Sequence, residues 1–202
     1  MNVKQALKAA ANAVATLLVI PFLISYAVRA TVLGRNRALE GSTQALSLIP
    51  GLAGQYLRRA FLARVLGGGC AFSATIEFGT IFSQAGARID ENVYVGPRCH
   101  LGLVHLERDV LVAAAVHIPS GPQTHGTDPS RPIREQDGDR RLVRIGAGSW
   151  IGSNAVVLAD VGRDTVVAAG AVVTHPIPDG VIAAGVPARI VRQRDRPLAA
   201  SV

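Results

Sequence analysis

Hydrophobic residues are arranged in two unlike ways along the chain. Over residues 9–28 they run together without a single charge, as "AAANAVATLLVIPFLISYAV", and a second apolar stretch, "STQALSLIPGLAGQYL", follows at residues 42–57. From Ile76 onward they are instead singled out at intervals: Ile76, Phe82, Ile89, Val95, Leu101, Leu106, Val112 and Ile118, then Ile145, Ile151, Val157, Val161, Val167 and Val173, most of them six apart. The second position of these units is small or acidic (Asp90, Gly96, Gly102, Glu107, Ala113, Gly146, Gly152, Gly162, Ala168). The fifth is small or β-branched (Val93, Cys99, Val110, Val116, Ser149, Ala155, Thr165, Ala171).

A period of six matches neither the 3.6 of a helix nor the 2 of a single strand. It matches a coil with flat sides, in which each unit is a short strand plus a corner. The head points inward, the fifth residue fills the space beside it, and Gly or Asp tolerates the backbone angles of the corner. Stacked coils then pair through parallel ladders and their heads form columns. The period slips at three corners: Phe82 to Ile89 is one residue long, Leu101 to Leu106 one short, and "VLAD" before Val161 two short. Between Ile118 and Ile145 it is lost altogether. That segment, residues 119–144, contains "PSGPQTHGTDPSRPIREQDGDRR", polar and broken by proline.

The repeat and the tail "VVAAGAVVTHPIPDGVIAAGVPARIVRQR" at residues 166–194 together resemble the hexapeptide-repeat acyltransferases, of the sugar and polysaccharide O-acetyltransferase type. Acetyl-CoA-dependent members read "GAGAVVTKDVP" and then "GxPAR" at this point. The resemblance implies a mainly β fold, a left-handed parallel β-helix of triangular section over residues 67–194, with an inserted active-site loop at 119–144. It also implies acetyl-CoA as donor and a homotrimer whose sites lie between neighbouring subunits. The left hand comes from the resemblance alone, since the usual crossover rule favours the right.

Candidate chemistry follows from the same residues. Acyl transfer from a thioester needs a base for the acceptor hydroxyl, and neutral imidazole titrates in the useful range. Of the five histidines only His125, in "SGPQTHGTD", lies in the interruption. His100 and His117 fall in sixth, corner positions, His105 in the fifth position of a short unit and directed inward, and His175 stands where the family has Lys. The family carries its base in such a loop, here with two extra residues that put Gln123 where the compact sugar acetyltransferases have their His. Asp128, Glu135 and Asp137 are candidates to orient the imidazole. Gln123, Asp128, Arg134 and Glu135, with Arg131 and Gln136 beside them, are candidates for acceptor contacts or for closing the loop.

For the donor, the resemblance implies that Ala168, Ala169 and Gly170 give a smooth wall for the pantetheine arm, that Arg189 and Arg192 meet the phosphates, and that Trp150 in "GAGSWIG" lies near the arm or packs on a neighbouring subunit. The planar guanidinium suits phosphate. Backbone N–H groups at Gly152 and Ser153 are candidates for the oxyanion. Two readings of other classes stand beside this one. A γ-class carbonic-anhydrase-like zinc protein needs three converging His, but the spacings of His100, His105, His117 and His125 do not reproduce that family's pattern. A non-catalytic membrane-tethered scaffold needs none of them.

Composition and charge alter the picture mainly at the N-terminus. With 49% hydrophobic and 4% aromatic residues, the core must be built from small aliphatic layers. The net charge of +7 resembles a nucleic-acid signal until it is divided: residues 1–64 hold eight of the 21 Lys and Arg and one acid, and the remainder balances at thirteen and thirteen. Residues 1–66 therefore read as a hydrophobic, basic, helical region that kinks at Pro21 and associates with a membrane, spanning it or lying in its interface. Core packing and a cleaved signal are the alternatives. The β-helix would face the cytoplasm, and residues 195–202 form a tail. Cys70 and Cys99 make no CxxC pair and read as reduced thiols.

Overall fold

The structure is a computed structural model that describes residues 3–194, apart from the side chain of Lys4. The tail expected at 195–202 lies outside the described residues. The hydrophobic N-terminal runs form α1 (Val3–Leu18), α2 (Ile20–Leu33), α3 (Arg35–Ser47) and α4 (Gly51–Val65). Prolines place two of the breaks. Pro21 sits in the first turn of α2, where a missing N–H costs nothing, and the axis bends by 44° between α1 and α2. Pro50 stands before α4. Gly34, at φ +82°, turns the chain from α2 into α3.

Beyond Leu66 the chain winds through about six turns of parallel solenoid. The first turn carries β1 (Thr75–Ile76), β2 (Ile81–Phe82) and β3 (Arg88–Ile89), and the second β4 (Tyr94–Val95), β5 (His100–Leu101) and β6 (Val104–Leu106). The third carries β7 (Leu111–Val112), β8 (His117–Ile118) and, after the loop, β9 (Val143–Ile145). Later turns carry β10 (Trp150–Ile151), β11 (Val156–Val157), β12 (Val166–Val167), β13 (Val172–Val173) and β14 (Val181–Ala184), and β15 (Arg189–Gln193) closes the chain. They form three faces. Face one is β1-β4-β7-β10-β12-β14-β15, face two is β2-β5-β8-β11-β13, and face three is β3-β6-β9, continued by bridges at Val161 and Ile177. The heads stack inward as columns, such as Ile76–Val95–Val112–Ile151–Val167, each fully buried.

Two position rules gain a sharper cause. The left-handed residue of a corner is the fourth of its unit, as at Asn92, Arg98, Asp109, Asn154, Asp164 and Gly170, and not the second as expected. Glycine at the second position answers close approach instead: a Cβ on Gly152 would stand 2.4 Å from the amide nitrogen of Ala169 on the next coil. Acids near this position cap the adjacent coil, since Glu107 Oε2 accepts from the N–H of Ala147 and Asp160 Oδ1 from that of Arg144. The sixth residue is not a corner. It lies in the strand and faces outward, which puts Tyr94, His100, Leu111, His117 and Trp150 on the faces of the coil.

The helices close one end of the solenoid. Each coil donates its N–H groups to the carbonyls of the next, as from Thr75 to Val93 and from Ile81 to Cys99, so the first coil has carbonyls without a coil to serve. Buried arginines of α4 fill that role. Arg58 Nε donates to Ile76 O and Arg59 Nη1 to Ala74 O, while Arg58 Nη1 ties down Leu46 O and Ile49 O at the end of α3. From α3, Thr43 Oγ1 donates to Phe82 O. An unserved buried carbonyl costs about 1–3 kcal/mol, which explains why cations are tolerated in this core. The long corner after Phe82 is where the cap latches on, through Asn36 to Gln84 and to the N–H of Ala85. At the other end, β15 turns back antiparallel on β14.

Candidate functional site

The interruption leaves the coil at the corner between faces two and three. Because Val143 and Arg144 already belong to β9, the excursion is two residues shorter than expected and covers 119–142. It is closed at its base by Arg141 N–H on Ser120 O and by an antiparallel bridge of Gln123 with Asp139. Its interior has no hydrophobic core; the amide of Gln136, 8% exposed, holds it instead. Oε1 accepts from Asp128 N–H, and Nε2 donates to the carbonyls of Asp128 and Arg131. Gln136 thus closes the loop, one of the two roles open to it from sequence. Glycine at 138 is needed because a Cβ there would overlap the backbone of Thr124.

His125 is exposed on this loop, and among the described residues no side chain hydrogen-bonds its ring. The carboxylates considered as its partners are engaged elsewhere or stand apart. Asp128 accepts from the N–H and hydroxyl of Ser130, which hold its carboxyl below the usual range. Glu135 faces Arg134 at 3.7 Å, both exposed, and Asp137 is exposed. Gln123 lies at the loop's neck with its side chain in solvent. Beneath the loop a cavity of about 310 Å³ runs between Gly121, Arg141 and Leu142 and the later corners at Leu158–Asp160 and Thr174–Pro176. It brings Arg141, Asp160 and His175 together, a grouping that sequence alone did not suggest.

The donor candidates lie at a different corner, between faces one and two. Gly152 is buried, Ser153 and Ala168 are half-buried, and Ala169 and Gly170 are exposed. The Gly152 N–H is spent on Val167 O at 2.8 Å, which removes it as an oxyanion donor; the regular ladder that makes the wall consumes its amides. Gly170, at φ +70°, has open space where a Cβ would stand. Trp150 projects from face one, half exposed, in line with Tyr94 and Leu111. Arg189 and Arg192 are exposed on β15, where Arg189 donates to the carbonyl of Ala188. The loop and the small-residue wall therefore border the same face from opposite edges.

Three other histidines pair in ways that sequence did not show. His100 and His117 sit on successive coils with Nδ1 and Nε2 3.0 Å apart. Partial burial, and then His100, hold His117 below its usual pKa. His105 is not directed into the core: its Nε2 lies 2.9 Å from Asp90 Oδ2 on face three, beside Arg88. Burial opposes the Asp90 charge, but the hydrogen bonds from His105 and Arg88 prevail and keep its carboxyl below the usual range. The signal was available in the spacing, since His100 and His117 each precede a head and are one 17-residue coil apart. Among the described residues no three metal-binding side chains converge. Cys70 and Cys99 are free and buried, and burial pushes the Cys70 thiol up to about 12.

No family model matches the chain. It is 31% identical over 143 residues to the putative lipopolysaccharide biosynthesis O-acetyl transferase WbbJ of Escherichia coli (strain K12), across 59% of this chain and 72% of that one. A maltose O-acetyltransferase from Clostridium difficile 630 has the same fold at a TM-score of 0.67 and 19% identity, over 80% of this chain and 89% of the other. The N-acyltransferase AntD from Bacillus cereus, solved with dTDP-4-amino-4,6-dideoxyglucose and coenzyme A, matches at a TM-score of 0.53 and 17% identity, over 61% and 71%. The chain belongs to the hexapeptide-repeat acyltransferases.

Proposed function

We propose that the protein is an acetyl-CoA-dependent O-acetyltransferase that acetylates a hydroxyl of a sugar in a surface polysaccharide or its lipid-linked precursor. The observation that carries this is a coil wall of the acetyltransferase family interrupted once, by a hydrogen-bonded loop that exposes His125. WbbJ is named for O-acetyl transfer in lipopolysaccharide biosynthesis, and AntD was solved with coenzyme A, which supports the acceptor and donor classes. Acetyl-CoA would supply an activated acyl group. His125 is assigned to take the proton of the acceptor hydroxyl as its oxygen attacks, and its exposure leaves the ring open to a bulky acceptor. Arg189 and Arg192 are assigned to the donor's phosphates, with Ala168, Ala169 and Gly170 as the wall beside its arm and the Ser153 N–H as the remaining oxyanion candidate. Gln123, Asp128, Arg134 and Glu135 are assigned to contact the acceptor.

The separation of loop and wall to two corners supports a homotrimer in which one subunit's loop faces the next subunit's wall. The apolar stripe of Tyr94, Leu111 and Trp150 on face one supports a neighbour packed there. The apolar, basic N-terminal region supports membrane association, and the coil is assigned to the cytoplasmic side. Among the described residues no single helix is long and apolar enough to cross a membrane, but the bent α1–α2 pair passes that test by length and composition. The decisive experiment is mass spectrometry of surface glycans from cells with and without the active protein. An acetyl increment that depends on the protein is expected, and identical glycans would count against the acceptor class.

A further inference from the structure

The apolar surface of α1 and α2 is one-sided. Val3, Leu7, Val14, Leu17 and Leu18 of α1 and Ile20, Ile24, Val28 and Val32 of α2 are exposed, and no acid occurs between residues 3 and 33. The opposite side of the pair packs on the rest of the chain through Phe22, Leu23 and Tyr26 and through three polar contacts. Past the middle of α1, Asn12 Oδ1 accepts from Arg59 Nη2 at 2.6 Å; one turn on, Thr16 Oγ1 accepts from Arg64 Nη2 at 3.1 Å. On α2, Arg29 Nη2 donates to Ser42 Oγ of α3 at 2.8 Å. Ala15 and Val19 fill the core between these contacts.

Building on the membrane association proposed above, we infer that α1 and α2 do not cross the bilayer but lie flat in one leaflet, with only their outer faces among the acyl chains. Three arguments carry this. First, at 1.5 Å per residue the 16 residues of α1 and the 14 of α2 reach about 24 and about 21 Å, so they could cross a hydrocarbon layer of roughly 30 Å only as a pair, with the 44° bend between them inside it. Second, a spanning pair would have to draw Arg29, Arg59 and Arg64 and the α3–α4 layer bonded to it into hydrocarbon, where charged side chains are strongly disfavoured. Third, the exposed Arg35 and Arg37 follow directly after the apolar face, lining a cavity of about 630 Å³ with Leu33, Gly34, Asn36 and Gly86. That puts basic groups at the depth of anionic headgroups when the pair lies in plane. The two helices thus act as a greasy sole, and the polar contacts behind them set how deep it sinks.

The test uses the full-length protein added to preformed vesicles containing phosphatidylglycerol. A single cysteine is placed in turn at Leu7, Leu18 and Val32 and labelled with an environment-sensitive fluorophore; the native thiols, Cys70 and Cys99, are buried. Depth is read by brominated-lipid quenching, and sidedness by dithionite added outside. All three labels are expected at one depth, about 5–10 Å below the headgroups, and all bleached from outside. Val14→Glu with Ile24→Glu is expected to weaken vesicle partitioning at least about tenfold. A deep Leu18 label, with Leu7 or Val32 shielded from dithionite, would overturn flat insertion while leaving membrane association intact. Failure to bind vesicles, or a soluble oligomer that buries this face, would overturn both.

Discussion

The wall of the coil and the loop that leaves it use the backbone in opposite ways. On the wall, amides are spent on the next coil, so Gly152 N–H goes to Val167 O and Trp150 N–H to Thr165 O, and the wall gains stability at the expense of free donors. In the loop, few amides find backbone partners, and one side chain, Gln136, satisfies several groups at once. The wall keeps its ionisable groups, His100 and His117 among them, on its faces, whereas the loop carries His125 on a segment outside the ladder. Wall substitutions should then change stability and loop substitutions turnover, and the largest effect should fall on the loop. If His125 is the base, His125→Ala is expected to lower acetyl transfer by roughly 10²–10⁴-fold with an unchanged melting temperature and intact coenzyme A binding. Unaltered turnover would remove His125 from the mechanism.

The wall counterpart is Gly152→Val. Its side chain would meet the backbone of Ala168 and Ala169, at 2.4–2.9 Å from the Cβ onward, and backbone in a stacked coil cannot rotate away. A loss of about 3 kcal/mol or more is expected in denaturant unfolding. A well-folded variant that had lost only activity would contradict the division between wall and loop. The cap should behave as wall. Arg58→Ala strips the carbonyls of Ile76 and Ile49 of their donor and leaves Leu46 O only its backbone donors, and about 2–3 kcal/mol of stability should go with it.

Much of this division was legible in the sequence, and the reasons differ by feature. The heads were readable because burial admits one aliphatic per side of a coil, so Ile76, Val95 and Val112 had to recur. The loop was readable as the failure of that rule. Hydrogen bonds between residues far apart in the chain were not. The capping role of Arg58 and Arg59 depends on the polarity of the ladder, a three-dimensional fact, and both arginines read instead as part of a basic surface. The second-position glycines were expected at the turning residue, but close approach by the next coil is what requires them. For the site, the loop's frame is visible in the structure and not in composition, because Gln136 is one polar residue among many until its three partners are known.

Gln136→Ala tests whether that frame matters. Loss of the amide leaves Asp128 N–H and two carbonyls to water, which the exposed loop admits at about 1–2 kcal/mol locally. Global melting should barely change, while turnover should fall about tenfold as His125 loses its support. Equal turnover would mean that the loop holds its shape by the Ser120–Arg141 and Gln123–Asp139 contacts alone.

The smallest effect expected is a wall effect that depends on pH. His117 gains a proton less readily in the folded protein than its ordinary value of 6.5, because burial and the neighbouring His100 disfavour its charge. Between the folded and unfolded values the unfolded chain binds more protons, so stability is complete above about pH 6.5 and declines as pH falls from there. His117 is largely exposed, and solvent screening keeps the contribution small. His117→Asn should therefore flatten the acid limb of the melting-temperature profile between pH 7 and pH 5 while leaving the neutral plateau in place. His100→Asn should flatten it less, since His100 is only the second cause of the shift. Parallel acid limbs for the parent and both variants would show that the imidazole pair carries no linked proton and that acid sensitivity lies elsewhere on the coil.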